Sequence, residues 1–508
     1  MKILTASQTK QADTATMQRE PIASIDLMER ASRKFTQRFV QQFPEHNCLV
    51  HIFCGLGNNG GDGLAIGRML LAQQYDVTIH IIGDGTGSDD FKANLKRLMD
   101  HASIHRVTDQ SQFPHLPALS IVIDAMFGSG LNRPLEGLFA QAVQLLNESD
   151  CTVVAVDIPS GLYANKSVGK NDPVVQADFT YTFQLPKLAF LLPQNETFVG
   201  SWATVDIKLD TKFLREVETA YHYLTPEWMK ELRRARKHHS HKGTYGKALL
   251  ISGSYGKMGA AVLCSRACAR GGVGLLTVHV PRCGYEIMQI SVPEAMTTVD
   301  QHREYFSSLP PEGPTNLENY DVVGIGPGLG TGESTIKALT SVLKTDDTQN
   351  RRMVLDADAL NICGQHRELL ELIPKNSILT PHPKEFERLT EQAHHDFHRL
   401  SLLQQFCQRY HVYTVLKGSH TAIGTPEGKV YFNSTGNPGM ATGGSGDVLT
   451  GLLTALVAQR YDSLSAALLG VYLHGLAGDL AAESLGQEPL IASDIVDHLG
   501  RAFKAMLS

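Results

Sequence analysis

Four short apolar runs recur in the first 157 positions: Cys48–Cys54 (CLVHIFC), Val77–Ile82, Leu119–Asp124 (LSIVID) and Cys151–Asp157 (CTVVAVD). They are rich in β-branched residues and show little polar alternation, the pattern of strands buried on both faces of a parallel sheet. Helical patterning fills intervals between them, as in Gly63–Gln74 and Leu135–Leu146. Parallel neighbours require such crossovers, so the rhythm restricts this part of the chain to a doubly wound α/β sheet.

The alternation pauses in a polar stretch after Val205-Asp206-Ile207, and Thr225-Pro226-Glu227 has the form of a helix start with proline in the first turn. It resumes at Lys247–Ser252 (KALLIS) and continues to a C-terminal helix. A chain of 508 residues suggests more than one domain. A boundary is expected within 210–225, giving an N-terminal Rossmann-like sheet over 1–218 and a second α/β domain over 219–508.

Composition narrows the function classes. A formal net charge of -6 argues against a general binder of nucleic acid or anionic membrane. The one dense basic stretch, Arg233–Lys242 (RRARKHHSHK), reads as solvated surface. The 8 cysteines are scattered with no CxxC pair, which suits a reducing cytoplasm. The N-terminus lacks the apolar core of a secretory signal, and no run of about 18 apolar residues is expected to span a bilayer. A cytoplasmic homo-oligomer acting on small molecules is the expectation.

In an open α/β sheet, ligands sit beyond the carboxyl ends of the strands. Three such ends are polar here. The first strand is followed by Gly55-Leu56-Gly57-Asn58-Asn59-Gly60-Gly61-Asp62-Gly63, and LSIVID by Ala125-Met126-Phe127-Gly128-Ser129-Gly130-Leu131-Asn132-Arg133-Pro134. CTVVAVD ends on Asp157 and leads into Ile158-Pro159-Ser160-Gly161-Leu162. Each alone is also what an ordinary turn looks like, and the first is not the GxGxxG of a dinucleotide-dependent dehydrogenase. Together on one edge they form a site. Asn59, Asp124 and Ser160 offer hard oxygen ligands, suited to an alkali or alkaline-earth cation rather than zinc.

GNNGGDG, DAMFGSGLNRP and DIPSGL, in that order, resemble the signature segments of the NAD(P)H-hydrate epimerase family over essentially all of 1–215. The resemblance implies that Asn58, Asn59, Gly60, Gly61 and Asp62, with Gly128, Ser129, Gly130, Leu131, Asn132, Arg133 and Pro134, hold the hydrated dinucleotide. It further implies potassium on Asn59, Asp124 and Ser160, and that Asp157 binds substrate and assists proton transfer during inversion at C6 of the ring.

In the second half, Thr435–Asp447 (TGNPGMATGGSGD) leads into an apolar helical stretch, Val448–Val457. Small residues there let backbone N–H groups converge on an anion at a helix N-terminus, a phosphate seat. Asp447 at its end could take a proton from an attacking hydroxyl. An isolated GxGD is equally an ordinary turn with Asp447 as N-cap; the length of the run favours the phosphate seat. Other strand ends carry Ser252–Ala261 (SGSYGKMGAA), Val322–Gly330 (VVGIGPGLG), Leu379–Glu385 (LTPHPKE) and Val415–Thr421 (VLKGSHT). Singly, His382 reads as a hydrogen-bonded surface histidine and Lys417 as a solvated cation.

Order and spacing change that reading. HKGTYGKALLISGS, GIGPGLG, LDADALN, TPHPKEFERL, VLKGSHT and NPGMATGGSGDVLTG resemble the ADP-dependent NAD(P)H-hydrate dehydratase family, a branch of the ribokinase-like fold, from about 225 to 508. The resemblance implies that Ala260, Gly328, His382 and Asp447 contact the hydrate, and that Lys417, Gly418, Ser419, His420, Thr421 and Gly446 contact the adenine nucleotide. Asp447 would be the base that activates the ring hydroxyl toward the terminal phosphoryl group of ADP. Magnesium would neutralise charge between nucleotide and acceptor, with Glu385 as a candidate holder through water.

The implied whole is a fused isomerase and lyase that epimerises hydrated NADH and NADPH (NADHX and NADPHX) and dehydrates the S form. A ribokinase-like vitamin or sugar kinase carrying a regulatory Rossmann-like module is the alternative enzyme. A non-catalytic N-terminal binding module is the third reading, opposed by the intact set Asn59, Asp124, Asp157 and Ser160.

Overall fold

The computed structural model describes residues 1–46, 48–99, 102–309, 316–345 and 351–507. The chain divides into two compact units, Met1–Tyr221 with His395–Phe397, and His222–His394 with His398–Ser508.

Seven strands form the sheet of the first unit: β1 (Leu49–Cys54), β2 (Asp76–Ile82), β3 (Ser103–Val107), β4 (Ile121–Ala125), β5 (Thr152–Val156), β6 (Phe179–Phe183) and β7 (Ser201–Val205). Their order is β3-β2-β1-β4-β5-β6-β7, and every pairing is parallel. Alternate side chains serve opposite faces. Val50, Ile52 and Cys54 of β1 join a core with Phe35, Phe39 and Leu64, from α2 (Ser24–Gln42) and α3 (Asn58–Ala72). Phe53 points the other way, into a cluster with Ala142, Val143 and Leu146 of α4 (Leu138–Asn147). Helix α1 (Ala6–Arg19) is held at its start by a capping box between Thr5 and Gln8.

The expected strands are all present, with one shift at an edge. Leu119 lies outside β4, 86% exposed and at φ 67°. Strand order reverses between β1 and β4, so the loops following these two strands diverge and leave a crevice at their carboxyl ends.

The second unit repeats this plan. Its strands are β8 (Lys247–Ile251), β9 (Leu275–Val280), β10 (Met296–Val299), β11 (Val322–Ile325), β12 (Met353–Leu355), β13 (Ile378–Leu379), β14 (Tyr413–Leu416), β15 (Ala422–Gly424) and β16 (Val430–Phe432). Within the unit they run β16-β15-β14-β13-β12-β11-β8-β9-β10. The pairings from β14 through β10 are parallel, whereas β15 and β16 are antiparallel additions. The reversal point falls between β8 and β11.

The helices that matter here are α5 (Met258–Arg270), α6 (Pro383–Leu389), α7 (Ser445–Ala458), α8 (Ser463–Leu485) and α9 (Ala492–Ala505). The expectation that nothing reaches bilayer-spanning length fails at α8, whose 23 residues are long and apolar enough to do so by length and composition. Most of α8 is buried, and it packs against α7 and α9, so its apolarity is that of a core helix. All eight cysteines are free thiols.

Helix α7 lies closely on α5, through Ala261, Cys264 and Ala267 on one side and Val448, Leu452 and Ala455 on the other. Gly451 sets the spacing: a Cβ there would come within 2.0 Å of the Cys264 carbonyl oxygen. Gly451→Ala is therefore expected to lower stability by about 1–3 kcal/mol through overpacking, despite alanine's better helix propensity. Urea unfolding of the full chain checks this; an unchanged midpoint would show that the two helices can separate freely.

Two candidate active sites

The first unit opens a cavity of about 580 Å³ beyond the carboxyl ends of β1, β4 and β5. Its walls come from α1 and α2, from the start of α3, from the loop after β4, and from Asp157. The glycine run after β1 is helical, contrary to the expectation of a loop with a helix from Gly63: α3 begins at Asn58, with Gly57 as N-cap. The glycines serve contact there, since a Cβ on Gly60 would sit 1.8 Å from the Gly55 carbonyl oxygen. Asn58, Asn59 and Asp62 line the cavity together with Gly128, Ser129, Gly130, Leu131, Asn132 and Arg133. Gly60, Gly61 and Pro134 are not among its lining residues.

Beneath this wall, Asp124 is fully buried. Its carboxylate accepts hydrogen bonds from the Ser160 hydroxyl (2.6 Å), the Ser160 N–H (2.7 Å) and the Met126 N–H (3.2 Å). Burial raises its pKa to about 6 against those donors. The Ser160 hydroxyl oxygen also accepts from the Phe127 N–H at 2.9 Å. Asn59 donates from Nδ2 to the Val156 carbonyl at 3.0 Å, but its Oδ1 is buried without a partner among the described residues. An orphaned buried acceptor has to find a donor or a cation.

Asp157 stands at the tip of β5 with φ 67°, a left-handed conformation uncommon for aspartate. Three donors meet its Oδ1: the Lys187 ammonium (2.8 Å), the Thr182 hydroxyl (3.0 Å) and the Phe183 N–H (3.0 Å). Lys187 is itself buried, 3% exposed, so the pair is held in low dielectric. Two further carboxyls face this pair. Asp62 is buried, accepts from the Ser32 hydroxyl at 3.3 Å, and has its pKa pushed well up by burial and by Asp157. Asp13, on α1, is pushed up to about 6 by the same two causes.

In the second unit, the loops after β8 and β11 are clipped together at the reversal point, where the Ser254 hydroxyl donates to the Gly328 carbonyl at 2.7 Å. Gly328 (φ 67°) abuts Ala260, whose Cβ would lie 3.1 Å from a Cβ built on the glycine. His382 is the N-cap of α6 in a capping box with Glu385: its Nδ1 accepts from the Glu385 N–H at 3.3 Å, and its own N–H donates to Oε2 at 2.8 Å. Burial and the Lys417 charge lower the His382 pKa.

Lys417 differs from the solvated cation that it reads as when taken singly. Its ammonium lies 3.0 Å from Asp356 Oδ1 and 3.9 Å from Glu385 Oε2. Asp356, 1% exposed, also accepts from the Thr380 hydroxyl (2.8 Å) and the Thr450 hydroxyl (2.8 Å). Gly418 and Thr421 close a local turn through the Thr421 hydroxyl, while Ser419 is exposed and His420 Nδ1 lies 3.2 Å from the Asn433 carbonyl oxygen.

The GGSGD run starts α7 at Ser445, three residues before the expected Val448, with Gly444 in the left-handed region (φ 95°) as N-cap. Asp447 thus sits in the first helical turn and is not the cap. Its carboxylate accepts no hydrogen bond from any described residue; burial, then Asp356, raise its pKa to about 7, against Lys417. Gly446 faces the Lys417 ammonium, 3.3 Å from a Cβ built there. His474, half-buried and with its pKa lowered to about 4 by desolvation, contacts the Ser445 carbonyl at 2.9 Å through Nε2. A neutral histidine in that position donates, and so secures the turn.

Residue-by-residue reading missed Asp356, Thr380, Thr450 and His474 here, and Asp13, Thr182 and Lys187 in the first unit. Asp356 lies within LDADALN directly after β12, where the strand-end rule finds it. Asp13 carries no comparable signal, being one polar residue of a polar helix.

Comparisons with known proteins follow the same division. The family described as YjeF-related protein N-terminus matches residues 24–189, and that described as NAD(P)H-hydrate dehydratase matches 248–500. The bifunctional NAD(P)H-hydrate repair enzyme Nnr of Moorella thermoacetica is 34% identical, over 98% of this chain and 96% of its own. The enzyme of the same name from Escherichia coli is 31% identical, over 94% and 89%. Among solved structures, the ADP/ATP-dependent NAD(P)H-hydrate dehydratase from Bacillus subtilis, co-crystallised with ATP/Mg2+, is 30% identical. It covers 56% of this chain and 98% of its own, with a TM-score of 0.48. With both family segments in order and full-length relatives above 30% identity, the chain belongs to the family of bifunctional NAD(P)H-hydrate repair enzymes.

Proposed function

We propose that the two units divide the repair between them: residues 1–218 interconvert the R and S epimers of NADHX and NADPHX, and residues 219–508 dehydrate the S epimer with conversion of ADP to AMP and phosphate. The observation that carries the second assignment is Asp447, unbonded and with its pKa near neutrality at the mouth of a helix N-terminus. A general base works best with a pKa close to the operating pH.

In the dehydratase site, Asp447 takes the proton of the ring hydroxyl as its oxygen attacks the terminal phosphorus of ADP, and AMP departs. The C6–O bond then breaks with its electron pair on phosphate, loss of a C5 proton restores the ring double bond, and phosphate leaves. The anion would sit at the N-terminus of α7, with the helix dipole behind it. Ala260, Gly328 and His382 form the hydrate wall, and Lys417 with Gly418 to Thr421 forms the nucleotide side. Lys417 stays charged there because Asp356 and Glu385 outweigh its burial.

Magnesium supplies positive charge between nucleotide and acceptor. It would be held chiefly by the nucleotide phosphates, with at most one or two protein carboxylates. Glu385, occupied by His382 and near Lys417, fits a water-bridged role. In the epimerase site, the orphaned Asn59 Oδ1, the buried Asp124 carboxylate and the Ser160 hydroxyl are the oxygens that would hold potassium. It supplies fixed positive charge at the substrate wall. A cytoplasmic location and a homo-oligomeric state belong to the same proposal; exposed Ile287, Ile290, Met296 and Val299, beside the edge strand β10, support the latter.

Four outcomes are expected. Mixed hydrate epimers incubated with ADP and magnesium should convert completely to a species absorbing near 340 nm, with one phosphate released per ring; a stable phosphorylated product would identify a kinase instead. Dehydration should fall about tenfold per pH unit below 7, the ionised form of Asp447 being the active one, and Asp447→Asn should lose about 10²–10⁴-fold. Because its folded pKa lies above the unfolded value, ionisation of Asp447 removes stability as pH rises through about 7, so Asp447→Asn should melt a few degrees higher at pH 8 but not at pH 4. Finally, potassium should raise the thermal midpoint of the wild type, and Asp124→Asn should abolish that shift; equal stabilisation by choline would exclude the site.

A further inference from the structure

The cavity of the first unit holds a second acid with no structural employment. Asp157 is fully engaged on one oxygen, where Lys187, Thr182 and Phe183 fix it as an ion-paired carboxylate. Asp62 is tied to Ser32. Asp13 lines the same cavity from a different wall, the middle of α1, and accepts no hydrogen bond or ion pair from any described residue. The charged groups facing it are Asp157, Lys187 and Asp62. A carboxyl at a cavity wall, close to an anion and without a donor of its own, serves no packing or pairing purpose.

We propose that Asp13 is the second proton-transfer residue of the epimerase site, the acid that works opposite the Asp157 base. This rests on the assignment of the cavity to epimerisation. Inversion of a carbinolamine carbon needs both roles. The Asp13 acid gives its proton to the C6 hydroxyl oxygen, and the C6–O bond breaks with its pair on the departing water. The N1 lone pair forms the C6–N1 double bond. Water then adds to the opposite face of C6, the π pair returns to N1, and the added water gives a proton to the Asp157 carboxylate. In the reverse direction the roles exchange. The pKa of Asp13, raised to about 6 by burial and the Asp157 charge, keeps a protonated fraction available near neutrality.

The test uses the full chain, whose own dehydratase consumes only the S epimer and reports on the second unit. With R hydrate, ADP and magnesium, Asp13→Asn should slow conversion at least about 10²-fold while the S-hydrate rate stays unchanged. Wild-type epimerisation should decline above pH 6 as the acid form is lost; Asp13→Asn should remove that limb, and Asp13→Glu should restore part of both rate and limb. An Asp13→Asn enzyme within twofold of wild type with the same pH profile overturns the proposal, as does a limb that disappears in Asp62→Asn instead. If Asp157→Asn is equally silent, the epimerase assignment itself fails; if Asp157→Asn is inactive and Asp13→Asn is not, only this inference does. One oxygen from labelled water should enter per inversion, and retention of the original oxygen overturns the C6–O cleavage.

Discussion

Burying a carboxylate costs several kcal/mol unless its oxygens are met by donors, and the second unit is organised around one such group. Asp356 receives Lys417 from the end of β14, Thr380 from the end of β13 and Thr450 from α7, while itself following β12. Three strand ends and one helix are thereby drawn to a single point. The helix they fix is the one that carries Asp447, and Thr450 lies on the same helix as that residue. Removing either Asp356 or Lys417 would leave its partner charged and buried, so the network and the base stand or fall together.

The first unit solves the same problem twice. Asp124 is satisfied by Ser160 and Met126, and Asp157 by Lys187, Thr182 and Phe183. Ser160 reaches Asp124 from the loop after β5, and Asp157 is met by Thr182 and Phe183 at the end of β6 and by Lys187 just beyond it, so burying each acid ties neighbouring strands together at the sheet edge. The left-handed backbone at Asp157 is local strain held in place by those contacts.

The strand-and-helix plan was legible because parallel strands buried on both faces must be continuously apolar, as CLVHIFC and CTVVAVD are. The strand-end motifs led to Asn59, Asp124, Asp157 and His382 by the same logic, and the glycine run before an apolar helix led to Asp447. Helix starts were less legible. Gly60 and Gly61 look like loop residues in sequence but sit where a helix presses on Gly55 and Met28, and Gly444 caps α7 by its backbone alone. Partners contributed from afar, such as Lys187 to Asp157, leave no local pattern; nor does Asp13, whose significance depends on the cavity it faces.

Helix α8 has a consequence for how the chain comes into being. Its 23 residues are long and apolar enough, by length and composition, to cross a membrane. What keeps it a core element is cover from α7, made before it, and α9, made after it. During synthesis there is therefore an interval in which α8 is complete and one of its faces is bare. The second unit should depend on prompt docking of α9, or on a chaperone, and a ribosome stalled between α8 and α9 would present a sticky hydrophobic rod in place of an enzyme.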